Sequence, residues 1–416
     1  MTTKAWSCLL ALCLLLASGC GTNTGNQPVP APNQTEPEPV PAPAPGPEEA
    51  PEDPVTAQLN AMSLEEKLGQ LVIFGLEGTS LQQETREMMD RYKVGGFIFY
   101  QDNIEDMAQT ASLVNELKEA NREQSVPLFL GIDQEGGRVD RMPADVTSVP
   151  SPRMVAEQDD KRYSYASGLA LGTQVRALGL NLDFAPVLDV NSNPNNPVIG
   201  DRAYGDVPEQ VIRHGLEAME GIRSARVIPV VKHFPGHGDT DVDSHLDLPV
   251  IHKSQEELKK FELKPFEAAV ESQADAVMVA HLLIPDLDET YPASLSRAII
   301  NDLLREEMGY EGVIMTDDLT MKGITKHRTV GEAAVLSLQA GSDIVLIGHH
   351  HGQQAEVMEA LKASLDNGQL SLSEIDAKAA RVLRLKQAFQ LTDDPVEAIA
   401  PKALNEQIET ILSDER

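Results

Sequence analysis

Eight short runs rich in Val, Ile, Leu and Phe recur along this chain, separated by segments with helical spacing. That alternation constrains the fold more than any other feature. The runs are LVIF (71–74), GGFIFY (95–100), VPLFLGID (126–133), LNLDFAPVLDV (180–190), VIPVVKHF (227–234), ADAVMVAH (274–281), EGVIMTD (311–317) and SDIVLIG (342–348). They are continuous rather than alternating, as strands buried on both faces must be. Between them ETREMMDRYK, MAQTASLVNELKEANRE, PEQVIRHGLEAMEGIRSA, SQEELKKFELKPFEAAVES and GEAAVLSLQAG place apolar residues three and four apart. A capping box, Ser63 with Glu66, opens a short helix ahead of the first run. Strand and helix in eightfold succession predict an α/β fold of the (β/α)8 TIM type, one barrel over residues 55–392. The rival is a doubly wound open sheet, but the Gly-rich phosphate turn that usually follows its first strand is missing. After SLSEIDAKAARVLRLKQAF, residues 393–416 read as a short acidic tail.

Polar residues with chemical capacity stand where the apolar runs stop: Asp133, Asp183, Asp189, Lys232 with His233, His281, and Asp317 with Asp318. A single Asp at a strand end is commonly a helix cap. Their coincidence at several strand ends is the pattern of an enzyme, because the C-terminal ends of barrel strands carry the active site.

The N-terminus, MTTKAWSCLLALCLLLASGC, has one Lys, a short apolar run and small residues before Cys20. Residues 1–19 are expected to be a secretory signal peptide, too short and wrongly flanked to span a membrane. The ASGC end resembles the lipobox of bacterial lipoproteins, which implies acylation of Cys20 and an extracytoplasmic, membrane-anchored protein. With the signal removed, Cys20 is the last cysteine, so neither a structural disulfide nor a thiolate metal site is expected. From Gly21 to Pro54 there are eleven prolines and no aromatic residue. Residues 20–54 therefore read as a lipidated Cys followed by an extended, disordered spacer, reaching roughly 100 Å at about 3 Å per residue. The net charge of −31 argues against nucleic acid as a partner, since its phosphates would be repelled.

The stretch KHFPGHGDTDVDSH, from Lys232 to His245, gathers three histidines and three aspartates after an apolar run. One reading is a metal-dependent hydrolase, with His233, His237, Asp241, Asp243 and His245 as ligands. Pro235, Gly236 and Gly238 rule out the helix on which a zinc H-x-x-x-H pair would sit, so a metal is not indicated. A second reading is a loop that carries an acid/base, with Pro235, Gly236 and Gly238 forming a bend with mobile joints. In it Asp243 stands two residues from His245, and a carboxylate that fixes one ring nitrogen raises the basicity of the other. In a third reading Asp243 and His245 only cap turns.

That stretch, together with GIDQEGGRVDR (131–141), VIGDRAYG (198–205) and PASLSRAIINDLLREEMGYEGVIMTDDLTM (292–321), resembles the β-N-acetylglucosaminidases of glycoside hydrolase family 3. The likeness covers nearly the whole folded region in the family's order, and the His-containing segment is its specific part. It implies that Asp317 is the nucleophile that forms a glycosyl-enzyme, that His245 is the acid/base and that Asp243 orients it. It implies further that Asp133, Arg141, Arg202, Lys232 and His233 bind hydroxyls of the terminal sugar. Alternation along the strand separates the two acids of TDDL, leaving Asp318 to cap the following turn.

The resemblance thus implies a retaining exo-β-N-acetylglucosaminidase, without metal or other cofactor. The expected substrate is an N-acetylglucosamine-containing glycan or muropeptide from the cell wall. No obligate protein partner is expected, and the membrane is approached only through the N-terminal lipid. Many family members carry a second domain after the barrel, and some take their acid/base from it. Here the acid/base is expected from the barrel itself. A glycan-binding lipoprotein without chemistry is the alternative from another class, and the presence of Asp317, Asp243 and His245 speaks against it.

Overall fold

The computed structural model describes residues 53–240 and 247–413. The expected signal peptide, Cys20 and nearly all of the proline-rich spacer lie outside the described residues, as do Asp241, Asp243 and His245.

The eight apolar runs form eight strands: β1 (Val72–Gly75), β2 (Gly96–Phe99), β3 (Phe129–Ile132), β4 (Leu182–Asp183), β5 (Ile228–Phe234), β6 (Ala276–Val279), β7 (Val313–Asp318) and β8 (Ile344–Ile347). Each pairs in parallel with the next, and β8 pairs with β1, so the sheet closes into the expected (β/α)8 barrel. Closure removes free edges, and the crossover helices cover the outside.

Alternation along each strand sorts the side chains into two layers. Ile73, Ile98, Phe129, Ile228, Val230, Met278, Val313, Met315 and Leu346 belong to a cluster that fills the barrel. Phe74, Phe97, Val345 and Ile347 face the surrounding helices. The barrel is therefore a packed core rather than a pore. At its N-terminal end the buried Lys386 donates to Gln70 Oε1 (2.7 Å), Gly95 O (2.8 Å) and Pro127 O (2.6 Å), and sits 4.3 Å over the Phe129 ring. Three oxygen acceptors and an aromatic face replace the water that its ammonium loses.

The Ser63–Glu66 capping box is present: Ser63 Oγ accepts from Glu66 N (3.3 Å), and Glu66 Oε2 accepts from Ser63 N (2.7 Å). The segment 254–272 divides into two helices, Gln255–Lys260 and Lys264–Glu271. Pro265 is the reason, since it fits the first turn of a helix but not its interior. The expected acidic tail also carries structure. Asp393 accepts from Leu128 N and from Asn121 Nδ2, and the helix Pro401–Ser413 buries Leu404 and Ile408 while packing on the helix Lys161–Ala177. Asn405 ties that helix to the loop after β3 by accepting from Thr147 N (2.7 Å) and donating to Asp145 O (2.8 Å).

Candidate active site

At the C-terminal mouth of the barrel lies a cavity of about 420 Å³. Its lining includes Asp133, Arg141, Arg202, Lys232, His233 and Asp317, which come from four separate stretches of the sequence. The six described residues to which the resemblance assigns a catalytic or sugar-binding role thus share one space.

Asp133 follows directly on β3, and its Oδ1 accepts from Lys232 Nζ, which reaches across from β5. The same ammonium lies 2.7 Å from Glu135 Oε1. Glu135, almost fully buried, also holds Arg202 in a two-pronged pair, with Nε and Nη2 each 2.7 Å from one of its oxygens. Burial raises the Glu135 carboxyl, but the charges of Arg202 and Lys232 outweigh burial and hold it far below the usual carboxylate range. Lys232 shifts the other way, upward: burial works against its charge, and the carboxylates of Asp133 and Glu135 overcome that effect. The result is an ionic network with fixed geometry on one wall of the cavity.

Arg202 ends a short 3-10 turn, Gly200–Arg202, which is shaped from outside. Asn196 Oδ1 accepts from Val198 N and Ile199 N, and Asn191 Oδ1 accepts from Gly200 N. Arg141 is placed by its backbone, which donates to Gln134 Oε1 (2.8 Å). The amide of Gln134 bridges Asp140 and Gln174, and its backbone N–H donates to Asp183 Oδ1 (3.0 Å). Asp183, named by the sequence only as a strand-end acid, is fully buried under this loop and does not line the cavity. Burial pushes its carboxyl well above the usual range.

Asp189 organises the start of the histidine stretch. Its Oδ2 lies 2.6 Å from His233 Nδ1, and its Oδ1 accepts from His237 N (2.6 Å). Burial would raise Asp189, but the neighbouring His233 keeps it below its ordinary value. Burial and then repulsion from His233 lower His237 to about 4, which makes it neutral near pH 7. Its Nδ1 is 3.0 Å from Thr240 Oγ1.

The expected mobile joints are packing positions instead. A Cβ on Gly238 would lie 1.7 Å from Val190 O, and Gly236 has φ +127° with Glu262 Cβ 2.8 Å from where a side chain would begin. Asn196 Nδ2 donates to both His237 O (2.9 Å) and Gly238 O (3.1 Å). These glycines let the loop press against the end of the LNLDFAPVLDV run, so Phe234 to Thr240 is anchored. Among the described residues no three His, Cys, Asp or Glu side chains gather in a set that could hold a metal ion.

Asp317 stands near the tip of β7, in phase with the barrel-lining Val313 and Met315, and is partly exposed to the cavity. Its Oδ1 accepts from Asp318 N (2.8 Å). Asp318 caps the turn as expected, accepting from Thr320 N and Oγ1 (both 2.8 Å) and also from Gly348 N (2.9 Å).

Residues 63–385 match the model of the Glycosyl hydrolase family 3 N terminal domain. The chain belongs to glycosyl hydrolase family 3. It is 35% identical over 332 residues to beta-hexosaminidase A of Pseudoalteromonas piscicida, covering 74% of this chain and 56% of that protein. It is also 34% identical to a beta-hexosaminidase of Thiobacillus denitrificans, covering 71% of this chain and 82% of the relative. Among solved structures, a family 3 beta-N-acetylglucosaminidase from Paenibacillus sp. superposes with a TM-score of 0.79 at 41% identity, over 84% of this chain and 68% of that one. The chain therefore spans little more than half of the first relative and most of the second.

Glu135 and Tyr100 were not marked by the sequence as parts of this family 3 site, and His281 was marked only as a strand-end residue. Glu135 sits inside the GIDQEGGRVDR motif, and nothing local marks it as the partner of a residue 67 positions away. His281 is buried, with Nε2 2.9 Å from Asp318 O and Nδ1 2.7 Å from Ser294 Oγ. A carbonyl only accepts, so Nε2 carries the proton and the Ser294 hydroxyl donates to Nδ1. Tyr100 ends the second apolar run; its hydroxyl lies 3.4 Å from Asp318 Oδ2, and its ring stacks on His349. Burial and then the charges of Asp318, Asp133 and Asp317 raise its phenol well above the usual value, so it stays a donor.

Proposed function

We propose that this chain is a retaining, exo-acting β-N-acetylglucosaminidase that releases terminal N-acetylglucosamine from β-linked glycans, with peptidoglycan fragments as its substrate class. The observation that carries the reading is the position of Asp317. It is a carboxylate at the tip of β7, facing the cavity whose other wall is the Asp133–Lys232–Glu135–Arg202 network. Carboxylates and fixed cations can grip several sugar hydroxyls at once and hold the ring for attack. The names of the relatives support the same activity class.

In this reading Asp317 attacks the anomeric carbon as the bond to the leaving oxygen breaks. His245, protonated and oriented by Asp243, gives its proton to that oxygen. The glycosyl ester on Asp317 is then opened by a water from which His245 removes a proton, and the anomeric configuration is retained. Retaining enzymes usually place two carboxylates about 5 Å apart; the Asp243–His245 pair replaces the second of them. Support for these two roles comes from the sequence resemblance, since both residues lie outside the described structure. Residues 234–240, which precede that pair in the sequence, are anchored by Asp189 and Asn196.

Export and attachment to the membrane through acylated Cys20 belong to the same proposal and rest on the N-terminal sequence. The Pro-rich spacer would then hold the barrel away from the bilayer.

The test is hydrolysis of an aryl N-acetyl-β-glucosaminide beside the corresponding aryl β-glucoside, each with and without chelator. The reading expects turnover of the first, little of the second, and no effect of the chelator. Preference for the glucoside, or loss of activity on chelation with recovery on adding zinc, would overturn it.

A further inference from the structure

We infer that Asn405, on the helix Pro401–Ser413, is a positioning residue for Arg141, the cavity-lining cation that the resemblance assigns to the terminal sugar; the inference rests on the glycosidase reading above. That helix lies beyond residues 63–385, the part of the chain that matches the family 3 domain.

Between β3 and the helix Pro152–Ala156, residues 133–151 form neither a helix nor a strand. This loop carries Asp133, Glu135 and Arg141, and a segment of that length takes its shape from what it is tied to. Glu135 N donates to Val139 O (3.0 Å) and Gly137 N to Val149 O (2.9 Å), which folds the loop back on itself. Side chains from elsewhere hold the rest.

A continuous path of hydrogen bonds leads from Asn405 to Arg141. Asn405 Oδ1 accepts from Thr147 N (2.7 Å), and Thr147 O accepts from Gln174 Nε2 (2.7 Å). Gln174 Oε1 accepts from Gln134 Nε2 (2.9 Å), and Gln134 Oε1 accepts from Arg141 N (2.8 Å). Gln134 and Gln174 are fully buried, so neither amide has solvent to replace a partner that shifts. Asn405 also donates to Asp145 O (2.8 Å) and so grips the loop at two points. Burial of Leu404 and Ile408 fixes the helix from which it does so. Movement of Thr147 would therefore pass through two buried amides to the backbone of Arg141. It would loosen the hold on the sugar while Asp317, on β7, stays in place.

The experiment measures kcat and KM on an aryl N-acetyl-β-glucosaminide. Asn405→Ala is expected to raise KM about fivefold, the scale of one hydrogen bond, with kcat within about twofold of wild type. Asn405→Asp still accepts from Thr147 N, so its KM should stay within about twofold of wild type. Added to Arg141→Ala, which raises KM by itself, Asn405→Ala should raise KM no further, because nothing is left for it to position. Three results would overturn the inference: an unchanged KM in Asn405→Ala, a KM in Asn405→Asp as high as in Asn405→Ala, or losses that add in full in the double variant. Wild-type protein that does not cleave the glycoside overturns the glycosidase reading as well, whereas wild-type turnover with any of those three results overturns the positioning role alone.

Discussion

Glu135 holds Arg202 through both carboxylate oxygens at 2.7 Å and, through one of them, also accepts from Lys232 at 2.7 Å. One buried acid thus fixes two cations that come from separate loops and strands. The cations are the groups expected to touch the sugar; Glu135 is what keeps them still.

Replacing Glu135 by Gln should therefore do two things. It leaves two buried cations short of a counter-charge, which costs about 3–5 kcal/mol of stability. It should also raise KM more than it lowers kcat, because the sugar-binding groups lose their alignment while Asp317 does not. Since the folded-state pKa is depressed, the acid contributes stability above its unfolded value, and that contribution is lost as pH falls from about 4.5 toward its folded pKa. Thermal melts of wild type and Glu135→Gln between pH 3 and pH 7 should converge at the acid end, and parallel curves would argue against the network.

His237 gives a second pH signature. Its folded pKa of about 4 lies below the ordinary 6.5, so between these values the unfolded chain binds the extra proton. Stability should fall as pH drops from 6.5 toward 4, by on the order of 3 kcal/mol from this group. In His237→Gln the melting temperature should vary less over that window; an unchanged slope would contradict the burial of a neutral imidazole.

Gly238→Ala tests whether the histidine stretch is anchored at its start. A methyl 1.7 Å from Val190 O must push the loop away, at a cost of roughly 1–3 kcal/mol. Activity should fall further than stability explains, because the displaced backbone leads to Asp243 and His245. A fully active, equally stable variant would show that the close approach does not matter.

His245→Ala should lose about 10²–10⁴-fold on glycosides with poor leaving groups and far less on activated aryl glycosides, as removal of a general acid requires. Comparing kcat/KM for methyl and dinitrophenyl N-acetyl-β-glucosaminides checks this. Equal losses would assign the residue a structural role.

The barrel was legible in the sequence because parallel strands buried on both faces are written as unbroken apolar runs, and eight of them alternating with helices leave few other topologies. Strand-end residues such as Asp133, Lys232, His233 and Asp317 were legible for the same reason, since closure of the barrel carries them to one mouth. What escaped is what depends on pairing across the fold. Glu135 meets Arg202, Asp189 meets His233 and His281 meets the Asp318 carbonyl, and each is a contact between residues 37 to 67 positions apart. Gly236 and Gly238 were read as joints because glycine permits both freedom and close approach, and only Val190 and Glu262 in three dimensions decide between them. The helix Pro401–Ser413 escaped because its apolar stripe is narrow, Leu404 and Ile408 within a polar segment.

The claim on which the account depends is covalent capture of a sugar by the carboxylate at the tip of the seventh strand. The direct measurement is mass spectrometry of a digest after incubation with a slow N-acetylglucosaminyl donor that carries an activated leaving group. The account predicts one glycosyl adduct, on the peptide containing Asp317, and no adduct and no turnover in a folded Asp317→Ala variant. An adduct on another residue, or normal hydrolysis by Asp317→Ala, would contradict it.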